Sequence, residues 1–394
     1  MKTRLAALIL SLAFMSAFSG CGIFQPSGNS EEDMTTASTT EDGDIDIRDA
    51  LDKTAEENHF YGTIAIYKSG KKMWSYSGGY ADKETEEPND FDKIYRVGSI
   101  TKQFTAAGIC ILSDNGKLNI NDKLSKYYPD CKFGDVVTIK DMLNMASGIP
   151  DVFTKDKILP TDSVLLEYSQ LGFKISKNNT AEQNKSYIEK YIISLEELGF
   201  EPQSKFEYSN TNYFLLSRII EKVSGETYED FITENIFEPL DMKSSSFDDS
   251  LLNTKGYVFD SSASEASRLK INNTEWELYP GVSSGYAGMN STVDDLHKWI
   301  SGLCGGKLLN PDTYKLMTAT NDLIAHEGES YGFGLFTSEN LCEHAGAWGT
   351  FVGQVVFTPD ASKEIIYLSN YRDEAMYSVT LSALMIELEN SIQN

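Results

Sequence analysis

A serine and a lysine stand three positions apart in the stretch that decides the fold, Arg96-Val97-Gly98-Ser99-Ile100-Thr101-Lys102-Gln103-Phe104. The apolar pattern predicts a helix over 99–114, which Asn115-Gly116 ends. Residues three apart on a helix are neighbours, so the Lys102 amine can reach the Ser99 hydroxyl. The helix dipole favours negative charge at Ser99, and a desolvated lysine with a lowered pKa can take the hydroxyl proton. The stretch therefore predicts a nucleophile beside its base.

The Ser-x-x-Lys spacing alone carries little information, because it occurs three times in the chain. Ser69-Gly70-Lys71-Lys72 falls at a turn between two strand-like runs, and Ser267-Arg268-Leu269-Lys270 falls in an irregular polar region. Only the copy at Ser99 opens a long helix with an apolar face. The alternative interpretation of that copy is a serine N-cap followed by a solvated lysine.

Residues 1–20 have the composition of a targeting segment. Lys2 and Arg4 precede an apolar run over 5–18, which is shorter than the roughly 20 residues that span a bilayer. The run ends in Phe18-Ser19-Gly20-Cys21, which resembles a bacterial lipoprotein signal that is cut before Cys21 and lipidated there. The alternative is an ordinary secretory peptide with a chance cysteine. Either way we expect export, and lipidation would anchor the protein to the outer face of the bacterial cell membrane.

The composition of the rest of the chain limits its expected organisation and its possible partners. Residues 21–45 are polar and acidic after the lipidated cysteine, so we expect a disordered tether, followed by one catalytic domain over 46–394. The formal net charge of −25 argues against nucleic acid and anionic membrane surfaces as partners. No second long apolar run follows, so membrane contact is expected only through the lipid anchor. We expect a monomer that binds a small-molecule or peptide substrate.

The remaining cysteines and the histidines do not form a metal motif. Export permits disulfides, but four cysteines allow three pairings and the sequence does not choose among them. The histidines have no zinc-ligand spacing, so we expect no metal and no cofactor. The residues in question are Cys110, Cys131, Cys304, Cys342, His59, His297, His326 and His344.

The order of predicted elements indicates an α+β fold. An opening helix over 47–59 and a hairpin over 62–68 and 72–76 come first, and a closing helix over 373–391 comes last. A late meander is predicted over 331–336, 341–344, 351–358 and 364–369. We expect one antiparallel sheet from both chain ends, about 46–95 and 325–394, flanked by the first and last helices. An all-helical subdomain would occupy about 105–300, with a ligand cleft between the two parts.

A second motif, Tyr208-Ser209-Asn210, is the only Tyr-x-Asn in the chain and falls on a predicted loop before a helix that starts near Thr211. A tyrosine can accept a proton from a nearby serine if cationic neighbours lower its pKa. Asn210 offers donors and an acceptor for Lys102 and a substrate amide. The alternative is a surface turn with an aromatic anchor.

A third motif, Glu343-His344-Ala345-Gly346-Ala347-Trp348-Gly349, falls at the end of a predicted strand. His344 on an edge strand could contact a substrate carboxylate or leaving group. Small residues at 345 and 346 would let substrate backbone lie against the strand. The Ala347 and Ser99 N–H groups could then form an oxyanion hole. The alternative is a bulge or a tight turn.

In this order, the three motifs resemble the serine β-lactamase and penicillin-binding-protein superfamily. The Tyr-x-Asn form is similar to its class C branch, which also includes D,D-carboxypeptidases, esterases and D-amino-acid peptidases. Three other stretches agree with the resemblance, although Asn144 replaces a usual histidine. They are Leu143-Asn144-Met145-Ala146-Ser147-Gly148-Ile149, Phe237-Glu238-Pro239-Leu240-Asp241-Met242 and the run over 285–296. The similarity extends over about 45–390.

The resemblance implies a β-lactamase/transpeptidase-like fold with Ser99 as the acyl-accepting nucleophile. Lys102 and Tyr208 would share the proton transfers, and which of them is the acylation base stays open. Asn210 would position substrate, and His344 and the Gly346-Ala347 strand would line the site. The stretch over 153–200 is longer than a minimal member needs and is expected to add helical structure near the cleft.

The expected function is a cell-surface serine hydrolase that forms an acyl-enzyme on D-Ala-type wall peptides or on small amides and esters. One alternative is a class C-type β-lactamase acting on β-lactams. True β-lactamases usually have lysine where this chain has His344, and a histidine with an ordinary pKa is mostly neutral at pH 7, which weakens that alternative. A third hypothesis is a catalytically silent wall-binding or sensor lipoprotein.

Overall fold

The computed structural model describes residues 47–57, 60–153, 175–259, 269–271, 279–321, 330–338 and 340–372. It divides into two units, one that includes helix α1 (Ile47–Glu57) and Phe60, and one that runs from Tyr61 to Arg372. In the first unit the Phe60 N–H donates to the Ala55 carbonyl after α1 ends. The targeting segment, the tether with Cys21 and the closing helix over 373–391 lie outside the described residues. Flanking of the sheet by the first and last helices stays a prediction.

The second unit confirms the α+β class, because a seven-stranded antiparallel sheet combines with several helices. The sheet takes two strands from the early part of this unit and five from the late part, in the order β2-β1-β13-β12-β11-β10-β9. Its strands are β1 (Gly62–Lys68), β2 (Lys71–Gly78), β9 (Ser330–Tyr331), β10 (Phe336–Thr337), β11 (Cys342–Trp348), β12 (Phe351–Phe357) and β13 (Lys363–Ser369). Strand β12 is buried along its whole length, as expected for a strand in the middle of a sheet.

The helices are α2 (Thr101–Asp114), α3 (Ile139–Leu143), α4 (Ala181–Ile193), α5 (Asn210–Ser224), α6 (Tyr228–Ile232), α7 (Val293–Cys304) and α8 (Pro311–Met317). The short strands are β3 (Tyr80–Asp82), β4 (Glu87–Pro88), β5 (Tyr95–Arg96), β6 (Tyr257–Phe259), β7 (Leu269–Ile271), β8 (Asn290–Ser291) and β14 (Tyr371–Arg372). The insertion predicted as all-helical thus also contains β6, β7 and β8. Backbone pairing explains the difference, because β8 pairs with β5 and β6 pairs with β14. Within the described ranges, no helix is both long and apolar enough to cross a bilayer.

The predicted hairpin is confirmed at β1 and β2. Ser69 and Gly70 both have positive φ, 50° and 74°, which is what a two-residue hairpin turn with the twist of its strands requires. The predicted strand over 331–336 is wrong. Gly334 has a φ of +72° and the Gly332 N–H donates to the Leu335 carbonyl, so the run turns sharply and its ends pair as β9 and β10.

Helix α2 is the centre of the second unit. It is buried from Thr101 to Leu112, and a Cβ on Gly108 would lie only 3.0 Å from the Ile220 side chain of α5. On another side, the Trp299 indole N–H of α7 donates to Gln103 at 2.9 Å, and its ring stacks on Phe104. These contacts fix both the axial position and the rotation of the helix that follows Ser99.

An ion network joins helices α4, α5 and α6 beside this core. The Lys185 ammonium, whose side chain is 4% exposed, donates to Glu221 at 3.0 Å and to both oxygens of Glu229 at 2.8 Å. Arg218 binds Glu189 at 2.9 Å in the same network. Removing one partner from such a buried network leaves uncompensated charge, which costs more than the pair gains.

Replacing Lys185 with methionine is therefore expected to lower the free energy of unfolding by about 3–5 kcal/mol, because Glu229 loses its ammonium partner and Glu221 keeps Arg218 but loses Lys185. The matched control is Lys205→Met, which removes a solvent-exposed pair with Glu207 and should cost less than about 1 kcal/mol. Urea unfolding at neutral pH measures both. Equal losses for the two variants would contradict a stabilising role for the buried network.

Candidate active site

Ser99 lies in a single 3₁₀ turn, Gly98–Ile100, directly before α2. The predicted helix is confirmed over its length, except that the first turn is tighter than an α-helix. Gly98 makes this turn possible. It has a φ of +52°, and a Cβ there would lie 2.6 Å from the Ala347 backbone nitrogen. Only glycine lets the turn approach β11 this closely, and this places Ser99 beside that strand.

The Lys102 amine lies 3.0 Å from the Ser99 hydroxyl oxygen, so the predicted proximity is confirmed. Its Nζ also contacts Asn210 Oδ1 at 2.8 Å and the Tyr286 carbonyl at 3.0 Å. Lys102 is fully buried, and burial holds its pKa well below the usual range for lysine, while the charge of Asp151 acts in the opposite direction. The low pKa favours the unprotonated amine, which is the form that a general base requires.

Tyr208 hydrogen-bonds to Ser99, as the second motif predicted. Its electrostatics differ from the expectation. Burial raises the pKa of the phenol far above its usual value, and the charge of Asp151 raises it further. Lys102 Nζ stands 4.8 Å from the ring centroid. The phenol is thus a neutral donor at ordinary pH, and the condition under which it could accept the Ser99 proton, a pKa lowered by cationic neighbours, is not met.

Asn210 is the first residue of α5 and connects Lys102 to a residue that the motifs did not single out. Its Nδ2 donates to Asp151 Oδ2 at 3.1 Å, while its Oδ1 accepts from Lys102. Asp151 directly follows Ser147-Gly148-Ile149-Pro150, and its Oδ1 also accepts the Phe153 N–H at 3.0 Å. The only sequence signal was its position after that run.

His344 lies in mid-strand, because the predicted strand over 341–344 extends as β11 to Trp348. Its side chain is 2% exposed, not open to a substrate. The ring Nδ1–H donates to the Ala345 carbonyl at 2.6 Å, and Nε2 accepts from the Tyr331 hydroxyl at 3.1 Å. Burial, with a further effect of Lys102, lowers the pKa of the imidazole to about 3. The expected contact with a substrate carboxylate would therefore involve a neutral, already bonded ring.

Gly346 and Ala347 run alongside the turn that carries Ser99. A Cβ on Gly346 would lie 1.9 Å from the Val97 carbonyl oxygen, so this glycine admits the chain's own backbone where the sequence suggested room for substrate. Ala347 abuts Gly98 from the same strand. The proposed oxyanion donors, the N–H groups of Ser99 and Ala347, thus belong to two backbones in direct contact.

Replacing Gly346 with alanine is expected to destabilise the fold by about 3 kcal/mol and to reduce activity, because the new methyl group meets main-chain atoms that cannot move aside. Gly199→Ala is the matched control, since its Cβ would meet nothing closer than 3.6 Å. Thermal unfolding and initial rates compare the two. A Gly346→Ala protein as stable and active as the control would show that β11 is not held against the Ser99 turn.

Aromatic rings surround these polar groups. Tyr331 packs edge-on against Phe336 and Tyr208, and Asn144 anchors it by donating from Nδ2 to its carbonyl at 2.9 Å. Elsewhere, the Tyr286 ring packs against Phe153, 4.5 Å between centroids, and against Trp348 at 6.3 Å. These rings keep bulk water away from the Lys102 amine, and this desolvation agrees with its lowered pKa.

The structure shows neither a disulfide nor a metal site among the residues that it describes. All four cysteines in the described ranges are free thiols, so none of the three possible disulfide pairings is formed. They are Cys110, Cys131, Cys304 and Cys342. Among the residues that the structure describes, no cluster of histidine, cysteine and carboxylate side chains could hold a metal ion. Of the stretch over 153–200 that was expected to add helical structure near the cleft, residues 154–174 lie outside the described part, and the described rest contains helix α4.

Comparison with known proteins agrees with this geometry. A protein-family model described as Beta-lactamase matches residues 47–389. Penicillin-binding protein 4* of Bacillus subtilis (strain 168) is 26% identical over 346 residues, which cover 84% of this chain and 72% of that protein. Protein flp of Staphylococcus aureus (strain NCTC 8325 / PS 47) is 30% identical over 353 residues, which cover 85% of this chain and 64% of that longer protein.

The fold has relatives among solved structures as well. The crystal structure of D-amino acid amidase from Ochrobactrum anthropi SV3 superposes with a TM-score of 0.70 at 21% identity, covering 88% of this chain and 98% of that one. At this identity the likeness concerns the fold. Together with the family match, it agrees with the three motifs and their order along the chain.

Proposed function

The chain belongs to the beta-lactamase family of serine hydrolases, and we propose that it cleaves its substrate through an acyl-enzyme formed on Ser99. One observation carries the proposal. The Ser99 hydroxyl lies 3.0 Å from the amine of Lys102, a fully buried lysine whose pKa is held low by its surroundings. A serine becomes an effective nucleophile when a base of this kind takes its proton.

We propose Lys102 as the acylation base and Tyr208 as a neutral proton donor. The unprotonated Lys102 amine takes the Ser99 proton as Oγ bonds to the substrate carbonyl carbon. The Ser99 and Ala347 N–H groups would hold the resulting oxyanion. The proton then passes through Tyr208 to the leaving group as its bond to carbon breaks. In deacylation, water gives a proton to Lys102 as its oxygen adds to the acyl carbon, and Lys102 returns that proton to Ser99 Oγ as the acyl bond breaks. The opposite pKa directions of Lys102 and Tyr208 support this division of roles.

For the substrate, we propose D-Ala-type peptides, small amides or esters whose leaving group is uncharged. Three features around Ser99 support this class. Lys102 must lose its positive charge to act as the base, His344 is neutral, and Asp151 adds negative charge. None of these would attract a carboxylate on the leaving group. The fold likeness to a D-amino acid amidase is compatible with an amide or ester of an amino acid.

We further propose that the protein is exported and anchored by a lipid on Cys21, with residues 21–45 as the tether and residues from 46 onward as the catalytic part. The basic, apolar and cysteine-containing pattern over 1–21 supports this. Export would give the active site access to extracellular peptides and esters.

A matched substrate pair tests the leaving-group proposal. D-Alanyl-D-alanine and its C-terminal amide share the scissile bond and differ only in the terminal charge. We expect kcat/KM to be at least about tenfold higher for the amide, which corresponds to about 1.4 kcal/mol of discrimination at the transition state. A preference for the free acid would contradict the proposed leaving-group class and favour a D,D-carboxypeptidase.

A fluorescent penicillin distinguishes the other family activities, provided covalent label and loss of drug are followed together. A long-lived adduct favours a D,D-peptidase-like enzyme. Rapid loss of drug without lasting label favours a class C-type β-lactamase, the principal alternative. We expect neither to approach the rate on an uncharged ester. No reaction of Ser99 with any substrate or serine-reactive phosphonate would contradict the hydrolase proposal and favour a silent binding protein.

A further inference from the structure

Asp151 is an acidic side chain whose charge acts on Lys102, and the Asn210 amide contacts both residues. Asp151 Oδ1 accepts the Phe153 N–H at 3.0 Å and lies 3.4 Å from the Thr211 hydroxyl, while its Oδ2 accepts from Asn210 at 3.1 Å. These donors stabilise the charged form of the carboxyl group, whereas burial raises its pKa above the usual value for aspartate. The side chain is thus fixed in place and aimed at one end of the Asn210 amide.

This contact decides how the Asn210 amide is oriented. A carboxylate only accepts hydrogen bonds, so the NH₂ end of the amide must face Asp151. The carbonyl end is then turned towards Lys102, where Oδ1 accepts from Nζ at 2.8 Å. With the amide reversed, Nδ2 would face the amine and the carbonyl would face the carboxylate. The orientation that holds Lys102 against Ser99 is therefore set by a residue on the loop after α3.

We propose that Asp151 is a positioning residue, which fixes the Asn210 amide so that Lys102 stays at Ser99 and which sets the lower end of the pH range of the enzyme. The inference rests on the proposed roles of Ser99 and Lys102. Asp151 would act on the base by two routes, through the hydrogen bond of Asn210 and through its own negative charge.

The surroundings of Lys102 show why this charge matters. The groups around the amine are the Ser99 hydroxyl, the amide of Asn210, the carbonyl and ring of Tyr286, the rings of Tyr208 and Tyr213, the imidazole of His344 and the carboxylate of Asp151. Burial raises the pKa of the Tyr208 and Tyr213 phenols, and the pKa of the His344 imidazole is about 3. These three groups are therefore neutral near pH 7. Among these groups, Asp151 is the one that supplies negative charge.

Removing the Asp151 charge should lower the pKa of Lys102. Burial lowers the pKa of Lys102, and the Asp151 charge raises it. Because catalysis needs the unprotonated amine, the rate increases with pH as Lys102 loses its proton. Removing the Asp151 charge should shift this acid limb to lower pH, by about one pH unit for an opposite charge near a buried amine. The same change lets the Asn210 amide reverse, which should lower the plateau rate by about 10- to 100-fold through the lost acceptor of Lys102.

The test compares Asp151→Asn with the double variant Asp151→Asn/Asn210→Asp. In the single variant, the acid limb should move down by about one pH unit with a lower plateau. The double variant places the carboxylate directly against Lys102, so its acid limb should move above that of the wild type. The limb is measured twice, by kcat/KM on an uncharged ester and by the rate at which a serine-reactive phosphonate adds to the intact protein.

Asp141→Asn is the matched control, a buried aspartate in the first turn of α3 that completes its capping box and is not part of the proposed site. It should lower the unfolding temperature without moving the acid limb. A limb that is unchanged or higher in Asp151→Asn overturns the proposal, as does an equal shift in Asp141→Asn. If Asp151→Asn does not fold, an unchanged or lower limb in the double variant overturns it instead. Failure of the proposed function would look different, because the wild type itself would then form no adduct on Ser99.

Discussion

Replacing Ser99 with alanine is expected to lower kcat/KM by at least about 10⁴-fold on every substrate that the wild-type protein cleaves. The reason is chemical. Without the hydroxyl oxygen no acyl-enzyme can form, and only binding and the oxyanion donors remain to accelerate direct attack by water. The unfolding temperature should hardly change, since the change deletes one partly exposed oxygen from a turn whose backbone contacts stay in place.

Ser113→Ala is the matched control for this prediction. Ser113 lies near the far end of α2, in the same helix but away from the proposed site, and its replacement should leave the rate within about twofold of wild type. Full activity of Ser99→Ala on any substrate of the wild type would show that another residue is the nucleophile. If Ser99→Ala loses both its activity and its folded state, unfolding explains the inactivity. The unfolding temperature distinguishes this outcome from the loss of a nucleophile in a folded protein.

The second large effect is expected at Lys102. Arginine remains protonated throughout the usable pH range, so Lys102→Arg keeps a positive charge and removes the base. We expect at least about a 10³-fold loss of kcat/KM, at the upper part of the range typical of general base catalysis. Tyr208→Phe should cost less, about 10- to 100-fold, if the phenol donates a proton to the leaving group and is not the base. A larger loss in Tyr208→Phe than in Lys102→Arg would reverse the assignment.

The buried Lys102 amine should also make the free energy of unfolding depend on pH. Folding lowers the pKa of Lys102, so between the folded and unfolded pKa values the unfolded chain binds one more proton than the folded one. The Lys102 contribution to the free energy of unfolding therefore rises with pH across that window. Lys102→Met should remove this slope, which urea unfolding at pH 6 and pH 9 can measure. Identical slopes in wild type and variant would contradict an ammonium penalty at the site.

The sequence was sufficient for the parts of the site that repeat a local pattern. The run at Ser99 opens a segment with helical apolar periodicity that Asn115-Gly116 ends, and both signals are local. The helix predicted to start near Thr211 is α5, which begins one residue earlier at Asn210, and the Ser69-Gly70 turn indicates the hairpin of β1 and β2. These features depend on neighbours along the chain, and they were predicted correctly.

What the sequence could not give depends on contacts between distant segments. Tyr286 offers a backbone carbonyl to Lys102, and a carbonyl has no signature in the side-chain pattern. Asp151 acts on Lys102 through Asn210, which is far along the chain. His344 was expected to face substrate because the predicted strand ended at residue 344, whereas β11 continues to Trp348 and the imidazole is bonded to the Tyr331 hydroxyl. The direction of the Tyr208 pKa shift depends on burial, which periodicity does not give for a loop residue.

The central claim is that Ser99 is a nucleophile activated by Lys102, and covalent labelling tests it most directly. The wild-type protein, Lys102→Met and Ser99→Ala would be treated with a serine-reactive phosphonate, and the adduct would be located by peptide mass spectrometry. We predict one adduct on Ser99 in the wild type, far slower labelling in Lys102→Met and none in Ser99→Ala. An adduct on another serine, or equal labelling of Ser99 with and without Lys102, would contradict the claim.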